Sequence, residues 1–257
     1  MDNYWKNASP LHWRNHVIQS LEMSRDLIED WDHTFFEATK LLSDAYLSMH
    51  ERRGAERPET RSKSKLEDLF WDLQRSSTVI DSVVGSACVV LMRWMDHVKR
   101  IAIADLILLE TKFPFETDLE SERDKWTRHL RSVMQNFGSR VPGKEVGGAL
   151  AVWQIGNVFK HTGDRHLHTG TERVVKELGF SSQMLEIPEH EIEENLRQMA
   201  LTEVAYTLGA DSIERMALQL GCGPISGLTP LYDHVESWQK AIDRKLLDEQ
   251  AALRRLP

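Results

Sequence analysis

The sequence predicts an all-α protein, a helical bundle of long antiparallel helices with additional shorter C-terminal helices. Three observations predict it. Apolar residues recur every three or four positions over long stretches, the period of an amphipathic helix. Between Pro10 and Arg53 neither a glycine nor a second proline interrupts that period. No alternating apolar–polar run is flanked by hairpin dipeptides, so strands are expected to be nearly absent.

Ser9 and Pro10 are the expected start, as helix cap and first helical residue. Val17, Leu21, Ile28, Phe35, Leu42, Tyr46 and Met49 then fall at helical spacing. They give one long helix over 10–53, or two with a bend at 30–32. Residues 54–65 (GAERPETRSKSK) mix breakers and charge without an apolar period and read as a mobile loop between two antiparallel helices. Residues 65–112 return to helical spacing, with a break expected near Ser76 and Ser77 or at Gly85. Within them 79–95 is apolar nearly all round, as in the central helix of a bundle.

Phe113-Pro114-Phe115 marks a turn, and 118–137 is a charged amphipathic helix ended by Gly138. Val141-Pro142-Gly143 punctuates again. A helix from about Lys144 then carries Leu150, Trp153, Ile155 and Phe159 toward Thr162 and Gly163. In the last third, Thr171 is the expected cap of a short helix ending at Gly179, 188–208 forms another closed by Gly209, and Asp211 caps a third. Residues 221–227 are a glycine-rich connector. Thr229 and Pro230 start a final helix to Arg255, with Leu231, Val235, Trp238, Ile242 and Leu246 on one stripe. The chain reads as one helical domain over 1–257, or as a main bundle over 1–170 with a C-terminal helical lobe over 171–257.

Composition narrows the function classes. With 41% hydrophobic and 28% charged residues the chain can build a core, in which its eight tryptophans should feature. A net charge of −8 argues against a protein that coats nucleic acid, but leaves a local nucleic-acid site open. The two cysteines, Cys88 and Cys222, form no C-x-x-C pair and fit a reduced, cytoplasmic protein. Residues 1–10 show no basic region followed by an apolar stretch. Asp81, Arg93, Asp96, Lys99 and Arg100 interrupt the most apolar region, 79–109, so no membrane association is expected.

Most candidate chemistry lacks its setting. Gly221-Cys-Gly223 and Gly143 with Gly147-Gly148 follow no strand and make no phosphate loop, so they read as connectors or close helix contacts. No pair of Glu-x-x-His motifs offers a di-metal site, and the carboxylates of 189–194 read as a solvated first turn. No nucleophile elbow or companion base is recognisable for either cysteine. One segment stands apart, 153–168 (WQIGNVFKHTGDRHLH). Asn157 and His161, four apart, share a helix face, with Lys160 beside them and Arg165, His166 and His168 following. Titratable imidazoles beside permanent cations suit acid–base chemistry on a phosphate, or anion binding. Two other readings stay open: Asn157 and Lys160 satisfying the helix end while His161 packs locally, or zinc on His161, His166 and His168. The expectation is no metal and no cofactor.

Asn157-Val-Phe-Lys160-His161, late in a helix of an all-helical chain, resembles the signature of HEPN domains. These helical bundles are common in bacterial toxin–antitoxin and anti-phage systems, and many are metal-independent ribonucleases. Their usual motif is arginine, a polar residue that is often asparagine, three variable residues and histidine. Here Gly156 stands at the arginine position, and 156–161 looks closer to a variant reading Ala/Gly-Asn-x-x-Lys-His. The resemblance implies RNA as substrate, His161 as general acid or base, and Asn157 orienting the phosphate or His161. Lys160 or Arg165 would offset developing charge, and His166 and His168 would bind substrate. It also implies a homodimer, with two motifs meeting across the interface. The competing expectation is a non-enzymatic interaction or scaffold protein whose C-terminal helices bind another protein or a second copy.

Overall fold

A computed structural model describes residues 10–55, 63–98, 131–161, 169–178 and 213–254, which form helices and turns with no strand among the described residues. The all-α class holds. The first helix, α1 (Pro10–Ala55), runs 46 residues, and the second is α2 (Lys63–Val98). Both extend into the expected loop: Gly54, Ala55, Lys63 and Ser64 are helical. The seven residues between them (56–62) reach at most about 25 Å. Two long helices in extensive contact across so short a link must run antiparallel.

The helix runs unbroken through 30–32, so 10–55 is one helix and not two. Leu21, Ile28, Phe35 and Leu42 are all buried, seven residues apart, so one face of α1 stays on the core over that span. Nor does α2 break at Ser76, Ser77 or Gly85. Gly85 is instead a socket, because a methyl group there would lie 2.2 Å from the ring of Phe159. Ile80, Val84, Ala87, Cys88, Leu91, Met92 and Met95 are buried along this helix. By length and composition Arg75–Asp96 is long and apolar enough to cross a membrane, despite Asp81 and Arg93, and half of it is buried inside the protein.

Residues 131–136 are helical, and Gly138, at φ +78°, ends that segment. The next helix begins later than expected, not at Lys144 but at Gly148. Residues 141–147 fold into a turn in which the Val141 amide donates to Val146 and the Lys144 amide to Val141. Four further helices follow: α3 (Gly148–Lys160), α4 (Thr169–Glu177), α5 (Ile213–Gln219) and α6 (Thr229–Arg254). The expected stripe of α6 is buried at all five positions. Trp94 of α2 and Trp238 of α6 meet edge to face, 6.4 Å between ring centres. Trp31 and Trp153 pack at the edge of the core.

The glycine-rich connector before α6 is a tight loop. Gly221 and Gly227 have positive φ, and the Gly227 amide donates to the Gly223 carbonyl at 2.8 Å. Asp32 of α1 accepts the Leu228 amide at 2.5 Å, so a residue at the expected bend instead ties the connector to α1. Burial raises the Asp32 carboxyl above the usual range, outweighing the hydrogen bond from Leu228. The turn at 113–115, the start of the 118–137 helix, the stop at Gly179, the 188–208 helix with Gly209, and the Asp211 cap lie outside the described residues.

Candidate functional site at the two ends of α3

Helix α3 touches four of the described helices, α2, α4, α5 and α6. Its sequence, GALAVWQIGNVFK, is small or apolar almost all round, and Gly148 to Val152 are all buried. Against α2 the fit is close. A methyl group on Gly156 would lie 3.2 Å from the Cys88 carbonyl oxygen and 3.4 Å from the Met92 sulfur. Phe159 pairs with Gly85 while Gly156 pairs with Cys88, so α2 and α3 cross antiparallel.

The C-terminal end carries the residues that the sequence singles out. Asn157 is half-buried, while Lys160 and His161 are exposed. The helix stops at Lys160, and His161 is its cap, with its amide donating to the Asn157 and Val158 carbonyls. Asn157 and His161 thus lie about one turn apart at this helix end, with Lys160 adjacent in the last turn. The Asn157 amide group donates to Gln154 Oε1 at 3.1 Å, and Thr171 Oγ1 donates to the same oxygen at 2.8 Å. Gln154 is buried, so this three-residue relay fixes the Asn157 side chain and joins α3 to α4. Thr171 is thus no helix cap: α4 starts at Thr169 and the hydroxyl serves Gln154. Arg165, His166 and His168, and with them the three-histidine zinc reading, lie outside the described residues.

Gly156, where the resembled motif has arginine, faces the α2 backbone rather than the open face. A different cation stands nearby. The Arg131 guanidinium rests on Gly170, next to Thr171 and its relay to Asn157. Sequence reasoning passed over Arg131 because Arg131 and Gly170 are far apart in the chain and meet only through packing.

No family model, curated protein or solved structure matches this chain.

The N-terminal end of α3 holds a second polar centre that sequence spacing gave no sign of. Ser139 Oγ lies 2.7 Å from His234 Nδ1, and His234 Nε2 lies 3.2 Å from the Leu220 carbonyl oxygen. A carbonyl only accepts, so Nε2 carries the proton and Nδ1 accepts from the serine hydroxyl. The His234 ring covers Gly148, where a methyl group would sit 2.0 Å from Nδ1. Ser139 is held from both sides, its amide donating to Ser237 Oγ and its carbonyl accepting from the Gly148 amide. Burial pushes the His234 pKa down, which favours the neutral ring.

The cysteines are not part of either centre. Both thiols are free and buried; burial raises Cys88 well above the usual range and pushes Cys222 up to about 12. Neither is a ready nucleophile.

Proposed function

We propose that this chain is a HEPN-like helical protein that acts on RNA through the exposed C-terminal end of α3. The observation that carries the reading is that an otherwise buried helix ends in the exposed Lys160 and His161, with the half-buried Asn157 one turn before His161. An exposed imidazole can move the 2′-hydroxyl proton, the fixed Asn157 amide can orient a phosphate, and Lys160 can offset charge on the phosphorus. Arg165, His166 and His168 would extend this face toward substrate. The reaction class is metal-independent cleavage in a toxin–antitoxin or anti-phage setting. Two chains meeting over this helix end would complete the site. Two buried free thiols suit the reducing cytoplasm.

One observation favours a non-catalytic interaction module instead. Gly156 is buried against α2, so the resembled family's arginine has no room at this position. Incubating the full chain and His161→Ala with total RNA in EDTA separates the two readings. Cleavage that survives chelation and disappears in the variant supports the ribonuclease; absence of cleavage by either protein leaves the interaction module.

A further inference from the structure

Beyond the RNA-facing end of α3, the Ser139–His234 pair has the parts of a nucleophile with its base. We infer that Ser139 is a reactive serine, activated by His234 and held in register by the Leu220 carbonyl, that accepts an acyl group from an activated ester. The nucleophile–base hydrogen bond is 2.7 Å, and the base is oriented through its other nitrogen at 3.2 Å. That is the relay of a serine–histidine–acceptor triad with a main-chain carbonyl as third member. The proton arrangement is already the productive one, since Nε2 must donate to the carbonyl and Nδ1 is left to take the serine proton.

The setting supports the same role. Ser139 follows Gly138, whose φ of +78° turns the chain sharply, and it is half-buried rather than sealed. The Gly148 amide, first in α3, donates to the Ser139 carbonyl at 2.8 Å. That bond fixes the backbone that carries the Ser139 hydroxyl against the start of α3. The imidazole itself is fixed, because Gly148 leaves the space the ring occupies.

The ester and one water are the only reactants. Ser139 Oγ bonds to the ester carbonyl carbon as its proton passes to His234 Nδ1 and the carbonyl electron pair moves to oxygen. Collapse breaks the bond to the leaving alkoxide, which takes the proton back from Nδ1. Water then attacks the acyl-serine, with Nδ1 taking a water proton and returning it to Ser139 Oγ.

A fluorophosphonate probe tests this on the folded full chain, read by intact mass and peptide mapping. One phosphonyl adduct on Ser139 is expected, with fluoride and the hydroxyl proton released. Labelling should vanish in Ser139→Ala and slow at least tenfold in His234→Gln, with circular dichroism confirming that both variants remain folded. For the wild type the labelling rate should rise with pH to a plateau whose midpoint lies below that of free histidine, since neutral Nδ1 is the base. No adduct on the folded chain, an adduct on another residue, or undiminished labelling of a folded His234→Gln would each overturn the assignment. If His234→Gln fails to fold, the pH midpoint of the wild type decides alone.

Discussion

The two ends of α3 differ in a way that separates what holds the protein together from what faces its surroundings. At the N-terminal end, polar groups are bonded to one another: the half-buried Ser139 and Ser237, the buried His234 and the Leu220 carbonyl. At the C-terminal end, Lys160 and His161 are exposed, and Asn157 is tied to Gln154 and through it to Thr171. Between the ends, Gly156 and Phe159 lock the helix against α2. One short element thus has a structural half, edged by the Ser139–His234 pair, and an open half. Substitutions should reveal the boundary between them.

The largest effect is expected where the structural half meets the resembled motif. Gly156→Arg restores that motif's arginine but drives a charged side chain into the Cys88 backbone. Burying an unpaired charge should remove roughly 4 kcal/mol or more. Urea denaturation should show a chain without a cooperative transition, and a wild-type midpoint would break the α2–α3 contact described above. Gly148→Ala comes next, because its methyl group meets the fixed His234 ring at 2.0 Å. A loss of about 1–3 kcal/mol, the usual range for overpacking, is expected in the same measurement.

Gln154→Leu keeps most of the volume but leaves the Thr171 hydroxyl and the Asn157 amide without their shared acceptor. A cost of about 1–2 kcal/mol follows from leaving a buried donor unmatched. Thermal melts of Gln154→Leu and Thr171→Val, singly and together, should show that the two losses do not add. The smallest effect is one of pH. The folded His234 pKa lies below its unfolded value, so its contribution is unchanged above about pH 6.5. As pH falls below that, the unfolded chain takes up the proton first and stability declines, by at most about 1.4 kcal/mol per pH unit for one group. Denaturation midpoints from pH 7.5 to 5 should slope less steeply in His234→Gln than in the wild type.

Much of the fold was legible because a helix writes its buried face as a period. Leu21, Ile28, Phe35 and Leu42, and the Leu231 to Leu246 stripe, fall inside as that period requires. What misled were residues whose role depends on a distant neighbour. Gly85 looked like a break and is the socket for Phe159; Asp32 looked like a bend and caps Leu228. Lys144 looked like a helix start, but Val141 and Val146 pair across the turn first. The same limit applies to the two polar centres. Asn157, Lys160 and His161 lie within one turn and a half, so spacing alone places them together. Ser139 and His234 are 95 positions apart and meet only because α6 lies against the start of α3. Arg131 comes to rest on Gly170, beside Thr171 of the relay, for a similar reason.

The most direct test of the division of α3 measures RNA cleavage in EDTA and the urea midpoint on the same two variants. His161→Ala should abolish cleavage while keeping stability within about 0.5 kcal/mol of the wild type, as expected for an exposed position. Gln154→Leu should lower the midpoint while its remaining folded fraction still cleaves. Cleavage by His161→Ala at the wild-type rate would contradict the account.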